Sequence, residues 1–341
     1  MSERLEDIAA AMVAKGKGIL AADESGGTIK KRFDGIGLES TADSRRDYRE
    51  MLFRSEEAMK SYISGVILYD ETIGQSARDG TPLVDLIRQS NSIPGIKVDA
   101  GAVPLPGHPG ETITEGLDGL DARLKAYHGM GARFAKWRGV ISIADGLPTW
   151  GAVKANAHAL ARYAALCQAN GIVPIVEPEV LMDGVPGDHS INRCEEVTAF
   201  VLKTVFAELA DARVRLEGMI LKPNMVIDGK NARKASIAEV AEATVRVLRQ
   251  TVPSAVPGIA FLSGGQSDAE ATAHLSAMNA AFDMPWALTF SYGRALQAAA
   301  IKAWGGRSEN VAASQRAFTH RARMNGLAAR GDWKQDLEQA A

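Results

Sequence analysis

The sequence predicts a closed (β/α)8 barrel, and three observations support this fold class. Eight short apolar runs recur along the 341 residues, and turn residues close each of them. Stretches with helical periodicity separate most of the runs, which implies parallel strands joined by right-handed crossovers. Eight such units favour a closed barrel over an open doubly wound sheet. The length alone would allow two domains, but no linker, low-complexity tract or repeat divides the chain. We therefore expect one domain over residues 1–341.

The individual elements follow from local patterns. The eight predicted strands lie in segments 17–25, 63–71, 93–101, 133–141, 171–180, 217–224, 258–265 and 286–293. The clearest helix covers 236–250, where Ser236 and Glu239 form a capping box. One face of this helix carries Ile237, Val240, Ala241, Thr244 and Leu248. A second helix covers 152–170 and ends at an Asn-Gly stop. The segment 321–341 is helical and then polar, and we expect its last ten or so residues to be mobile.

Composition and charge exclude several classes of protein. The formal net charge of −2 gives no reason to expect nucleic acid or an anionic membrane as a partner. Two isolated cysteines, Cys167 and Cys194, are too few for a disulfide framework or a cysteine-based zinc site. The six histidines form no pair at short ligand spacing, so we predict neither a metal nor another cofactor. Without a signal core or a membrane-length apolar run, the expected location is the cytoplasm.

Polar side chains stand at the ends of the predicted strands. Lys222 directly follows an apolar strand, although burying an ammonium group is costly. Because the C-terminal ends of barrel strands carry the active site, we expect these side chains to converge there. Residues two apart on a strand share a face, so Lys136 should lie beside Arg138 and Glu177 beside Glu179. Two structural alternatives stay open: Lys222 could extend its head group into water, and the other charges could form structural salt bridges.

The last two predicted strands end in glycine-rich segments, "LSGGQS" and "SYGRA". In a barrel of this kind, the loops after the seventh and eighth strands usually bind phosphate. Gly264 and Gly265 permit close backbone approach, and Arg294 supplies a guanidinium fork. This position favours a phosphorylated substrate.

A lysine at the barrel mouth, without a metal or nucleotide motif, suggests covalent catalysis through a Schiff base. We expect nearby cations such as Lys136, together with partial burial, to lower the pKa of Lys222 so that its amine can attack a ketone. A carboxylate must also move protons, and Glu177 and Asp23 are the candidates. This chemistry is that of an aldolase acting on a keto-sugar phosphate.

Motifs spread from about residue 3 to residue 330 are highly specific in combination. They are "GILAADES", "GIKVD", "FAKWR", "NGIVPIVEPE", "ILKPNM", "FLSGGQS", "PWALTFSYGRALQ" and "KAWGG". Together they resemble class I fructose-1,6-bisphosphate aldolases. The resemblance implies reversible cleavage of fructose 1,6-bisphosphate to dihydroxyacetone phosphate and glyceraldehyde 3-phosphate, in glycolysis or gluconeogenesis. It also implies a homo-oligomer, typically a tetramer.

The resemblance further implies catalytic roles at five positions. Lys222 matches the lysine that attacks the C2 ketone, and Glu177 matches the principal acid/base. Glu179 matches a second glutamate that supports the charges around the lysine. Asp23 matches the aspartate near the scissile C3–C4 bond, and Lys136 matches a residue that stabilises developing charge.

Binding roles follow in the same way. Arg138 matches a substrate-binding residue, and Lys97 matches a cation associated with the second phosphate. The C1-phosphate cradle corresponds to Ser263, Gly264, Gly293 and Arg294. Further substrate or phosphate contacts correspond to Ser25, Arg32 and Ser291. Trp137, between two of these residues, is expected to be core packing.

The sequence departs from the family pattern in four places. Ala100 replaces a frequent lysine, and Thr28 replaces a frequent serine while keeping the hydroxyl. The segment 183–190 is longer than the usual turn. No tyrosine follows Tyr292, whereas animal members often use a terminal tyrosine for proton exchange on the enamine. The group that protonates the enamine is therefore open.

Other functions remain possible at this point. A related Schiff-base enzyme could prefer another ketose phosphate such as the 1-phosphate, and the cations Lys97 and Arg32 would discriminate the two. A barrel that serves mainly as a binding scaffold would have little need for the catalytic set. A metal-dependent aldolase is disfavoured because clustered histidines are absent from the sequence.

Overall fold

The computed structural model describes residues 3–339, and the predicted closed barrel is confirmed. The strands within these residues are β1 (Gly18–Ala22), β2 (Ile63–Leu68), β3 (Ile93–Lys97), β4 (Gly101–Pro104), β5 (Thr112–Glu115), β6 (Phe134–Ile141), β7 (Val173–Val180), β8 (Ile220–Leu221), β9 (Gly258–Phe261) and β10 (Ala287–Tyr292). The parallel barrel closes in the order β1-β10-β9-β8-β7-β6-β3-β2. Each predicted strand segment contains one barrel strand.

Helices surround the barrel and follow most of its strands. Within residues 3–339 they are α1 (Leu5–Met12), α2 (Gly26–Asp34), α3 (Ala42–Phe53), α4 (Glu56–Tyr62), α5 (Asp70–Ile73), α6 (Leu83–Gln89), α7 (Leu120–Met130), α8 (Trp150–Ala169), α9 (Ile191–Asp211), α10 (Ile237–Thr251), α11 (Asp268–Ala281), α12 (Arg294–Trp304) and α13 (Val311–Ala328). Short 3₁₀ turns occupy Leu216–Gly218, Ser308–Asn310 and Gln335–Gln339. None of the helices in this range is both long and apolar enough to cross a membrane.

Both helices predicted in detail are present. The capping box of α10 forms as expected, since Ser236 accepts from the Glu239 amide and Glu239 accepts from the Ser236 amide. Four members of its predicted apolar face are buried, but Ile237 in the first turn is 48% exposed and lines an open groove beside residues 228–235. The helix α8 begins two residues before the predicted start, where Thr149 caps it by accepting from the Ala152 amide.

The antiparallel hairpin of β4 and β5 was not predicted. Each of its strands has four residues, and of these eight only Thr114 is buried, while the others are partly or fully exposed. No apolar run therefore marks the hairpin in the sequence. The strand β8, with two residues, is also shorter than its predicted segment, because Pro223 has no amide hydrogen to donate to a ladder.

The barrel interior is apolar at its N-terminal end. Phe134 lies at its centre and packs against β3, where a Cβ atom at Gly95 would lie only 2.2 Å from the Phe134 ring. Leu5, Ile8 and Met12 of α1 belong to the same buried cluster and cover this end. A second core fills the space between the sheet and the outer helices, and Trp137 is fully buried there, as predicted. The polar residues of the barrel are consequently displaced to its C-terminal mouth.

The final segment packs against α13. Glu338 pairs with Arg321, and the indole of Trp333 donates to Glu338 Oε1 over 3.0 Å. The predicted mobility of the last residues stays a prediction, and residues 340–341 lie outside the described part of the chain.

Candidate active site

A cleft of about 540 Å³ opens at the C-terminal ends of the barrel strands. It brings together all of the residues to which the family resemblance assigns a role, and those roles remain predictions. They are Asp23, Ser25, Arg32, Lys97, Lys136, Arg138, Glu177, Glu179, Lys222, Ser263, Gly264, Ser291, Gly293 and Arg294. Gly265, which the sequence also suggested for the phosphate side, lines the neighbouring groove beside α10 instead. The convergence follows from the parallel barrel, because parallel strands present their C-terminal ends at the same mouth.

Four charged side chains alternate in sign across the floor of this cleft. The Lys222 Nζ atom lies 3.1 Å from Glu177 Oε1, and Lys136 Nζ lies 3.4 Å from Glu177 Oε2. Lys136 Nζ also lies 2.7 Å from Asp23 Oδ2. Lys222 is only 4% exposed, so its head group does not extend into water as the snorkelling alternative required. Glu177 is thus shared between two lysines.

The protonation states of this chain follow from burial and charge. Burial raises the pKa of Asp23, but the attraction of Lys136 and then Lys222 outweighs it, and the pKa falls to about 2. Burial lowers the pKa of Lys136, but the attraction of Asp23 and Glu177 raises it by a larger amount, so the pKa lies above the ordinary lysine value. Asp23 and Lys136 are therefore a carboxylate and an ammonium at neutral pH.

The register of β6 and β7 sets the positions of four charges. In the strand register, Arg138 lies opposite Glu177 and Val140 lies opposite Glu179. Glu179 forms an ion pair with the Arg138 guanidinium. Both two-residue pairs line the same cleft, as their spacing predicts, and the proline between Glu177 and Glu179 does not change this.

Two further cations of the cleft, beyond its floor, are each held by an acid. Lys97 Nζ lies 2.6 Å from Asp99 Oδ1, and Arg32 forms an ion pair with Glu24. Arg49 is fully buried and donates to the Glu24 carbonyl over 3.0 Å. The sequence reasoning assigned no role to Asp99 or Glu24. Their signal was available, since each acid stands close to a strand end and near a predicted cation.

The segments that follow β9 and β10 have the features of an anion cradle. Gly264 adopts a left-handed conformation with φ +55°, which favours glycine, and its carbonyl accepts from Arg294 Nη2 over 2.5 Å. The helix α12 begins at Arg294, so its N-terminal amides face the cleft. Ser291 Oγ is buried without a hydrogen-bond partner among the described residues. These groups can donate to a phosphate.

A metal centre has no evident ligands in residues 3–339. No group of three or more histidine, cysteine, aspartate or glutamate side chains is arranged there to hold a metal ion. The acids of the cleft are instead paired with lysine and arginine.

Comparison with known proteins decides the family. Residues 4–341 match the family described as glycolytic class I fructose-bisphosphate aldolase. The chain belongs to this family. The resemblance inferred from the motifs is thereby confirmed.

Fructose-bisphosphate aldolases from distant organisms match nearly the whole chain. A probable fructose-bisphosphate aldolase class 1 of Xanthomonas campestris is 55% identical, covering 97% of this chain and 99% of the relative. A fructose-bisphosphate aldolase of Drosophila melanogaster is 52% identical, covering 98% and 92%. The solved structure of fructose-bisphosphate aldolase from Plasmodium falciparum, in complex with TRAP and a small-molecule inhibitor, superposes with a TM-score of 0.93 at 50% identity, covering 97% and 95%.

Proposed function

We propose that this class I aldolase cleaves fructose 1,6-bisphosphate reversibly to dihydroxyacetone phosphate and glyceraldehyde 3-phosphate, with Lys222 forming the Schiff base. The observation that carries the proposal is the buried amine of Lys222, 3.1 Å from a Glu177 oxygen inside a cleft with cations on two sides. A structural salt bridge would not require an anion cradle beside it.

The proposed chemistry uses the chain of alternating charges. Glu177 takes a proton from Lys222, and the neutral amine attacks the C2 ketone to form a carbinolamine. Glu177 then returns a proton to the departing hydroxyl, so that water leaves and an iminium ion forms. When a carboxylate removes the C4 hydroxyl proton, the C3–C4 bond breaks and the aldehyde departs. The bonding electrons form the C2–C3 double bond, so the iminium nitrogen regains its lone pair and a neutral enamine results. Protonation at C3 and addition of water then release dihydroxyacetone phosphate and restore the amine.

The two sides of the cleft suit a substrate with two phosphates. Ser263, Gly264 and Arg294 form the cradle that we assign to the C1 phosphate. Lys97, on β3, lies across the closed barrel from β9. Arg32, expected from the sequence at the same end as Lys97, instead lies beside the cradle, with its Nη2 atom 3.4 Å from where a Cβ atom at Gly293 would be. Cations on both sides of the cleft favour the bisphosphate over a 1-phosphate, because only the bisphosphate has a second phosphate group for the second set of cations to bind.

Borohydride trapping tests the proposal. Wild-type protein is incubated with dihydroxyacetone phosphate, reduced with borohydride, and mapped by peptide mass spectrometry. We expect one stable adduct, on Lys222, and none in Lys222→Met. The exposed lysine variant Lys203→Met is the matched control and should keep the adduct. An adduct on another lysine, or none in the wild type, would remove Lys222 from this role.

The wider setting is also part of the proposal. We infer a single-domain protein that acts in the cytoplasm as a homo-oligomer, a tetramer as in the family, and binds neither nucleic acid nor membrane. The net charge of −2 and the phosphorylated-sugar substrate expected for the family support this setting. Analytical ultracentrifugation tests the assembly, and a sedimenting species of monomer mass would contradict it.

A further inference from the structure

The backbone ladder between β7 and β8 stops at the reaction centre. The Lys222 amide donates to the Val176 carbonyl over 2.8 Å, and this is where the regular pairing ends. In a parallel ladder the next donor on β7 would be residue 178. Pro178 has no amide hydrogen, so no backbone bond can form there. The two strands that carry Glu177 and Lys222 therefore lose their ladder at the level of these residues.

The side chain of Asn224 links the strands beyond this interruption. Its Oδ1 atom accepts from the Val180 amide over 3.1 Å. Its Nδ2 atom donates to Thr198 Oγ1 over 3.1 Å and to the Met225 carbonyl over 3.0 Å. Asn224 is 5% exposed, so these bonds form away from bulk water. One amide thus joins the end of β7, the segment after β8, and α9.

The end of β8 has few other backbone constraints. On its other side it pairs with β9 through Leu221 and Ile259, followed by a bond of 3.1 Å from the Leu262 amide to the Pro223 carbonyl. The strand β7, by contrast, is paired with β6 along its whole length. A shift of the β8 end would therefore move Lys222 relative to a fixed Glu177.

We propose that Asn224 is a positioning residue that sets the distance between Lys222 and Glu177. The inference rests on the proposed roles of those two residues. Proton transfer between them requires hydrogen-bond distance, and their present separation is 3.1 Å. A misplacement of about 1 Å can cost about 100-fold in rate. Asn224 acts through the strands and does not line the cleft.

A merely structural role makes a different prediction. If Asn224 only satisfied the buried Val180 amide, its loss would lower stability and leave the catalytic rate of the folded protein unchanged. Positioning instead predicts a fall in kcat with little change in KM, because the phosphate contacts come from other strands. Comparing the change in kcat with the change in KM therefore distinguishes the positioning role from the purely structural role.

The experiment compares Asn224→Ala with Thr198→Val in the full chain. Thr198→Val removes a partner of Asn224 Nδ2 and leaves the bond to Val180 intact. Both variants should lower Tm. We expect Asn224→Ala to lower kcat and the borohydride-trapping rate by about 10- to 100-fold, with KM within about twofold. Thr198→Val should keep kcat within about twofold. Asn224→Ser, whose hydroxyl is too short to reach Val180, replaces Asn224→Ala if that variant does not fold.

A conservative substitution at Asn224 tests whether kcat can be restored. Asn224→Asp keeps an acceptor for the Val180 amide, and its kcat should exceed that of Asn224→Ala by about tenfold. Equal kcat values in wild type, Asn224→Ala and Thr198→Val would overturn the inference while leaving the Schiff base intact. If wild-type protein forms no adduct on Lys222, the proposed function itself fails. The two failures are therefore distinguishable.

Discussion

Replacing Lys136 with methionine should destabilise the protein by about 3 kcal/mol at pH 7. Lys136 is 5% exposed and lies 2.7 Å from Asp23, so methionine would leave the Asp23 carboxylate, whose side chain is only 12% exposed, without its nearest cation. The pKa of Asp23 is about 2 against an ordinary value of 3.8, which corresponds to about 2.5 kcal/mol favouring the ionised form. Lys222 remains nearby and keeps the loss at the lower end of the range for a broken buried pair.

The sign of the pH dependence follows from the lowered pKa. The stability that Asp23 contributes is complete above 3.8 and is lost as the pH falls through about 2, so all of it is present at pH 7. Lys136→Met should remove most of it and raise the pKa of Asp23. The acid limb of the pH dependence of kcat/KM should then move to higher pH.

Urea unfolding at pH 7 measures the effect, with Lys125→Met as the matched control. Lys125 also forms an ion pair, 2.6 Å from Asp121, but its side chain is 67% exposed. Because solvent and salt screen such an exposed pair, its loss should change stability very little. A loss in Lys136→Met no larger than in Lys125→Met would refute the reasoning, because the charges of the cleft would then behave as screened surface charges.

Four further outcomes are expected. Glu177→Gln should lower kcat by about 10²- to 10⁴-fold in steady-state assays with KM nearly unchanged, and an unaltered kcat would exclude Glu177 as the acid/base. Lys97→Gln should raise KM about tenfold or more for fructose 1,6-bisphosphate and less for fructose 1-phosphate, whereas equal increases would place Lys97 away from the second phosphate. Ser236→Ala should lower the free energy of unfolding by about 1 kcal/mol in urea without changing kcat, and no loss would mean that the capping box of α10 is dispensable. Activity should survive dialysis against EDTA, and its loss would point to a metal.

The barrel fold and the set of residues at its mouth could be predicted from the sequence because both depend on local patterns. An apolar run that ends in Asp23, Lys97, Glu177 or Lys222 indicates a buried strand and its polar end at once. Closure of the barrel then brings all such ends together, whatever their partners. The same reasoning located the glycine-rich segments at the phosphate side. The hairpin of β4 and β5 escaped it because short, half-exposed strands leave no apolar run.

The pairing of the charges depended on contacts that no local pattern contains. Lys136 lies between Asp23 and Glu177 because β1, β6 and β7 curve around one axis, and their spacing in the chain does not encode these distances. The hydrogen bond from the Val180 amide to the Asn224 side chain likewise links the ends of two strands, β7 and β8, whose backbone ladder is interrupted by prolines. Periodicity is a property of neighbours in sequence, whereas hydrogen bonds and ion pairs fall off over a few ångströms of space. The sequence therefore determined which residues reach the mouth, and the closed barrel determined which of them touch.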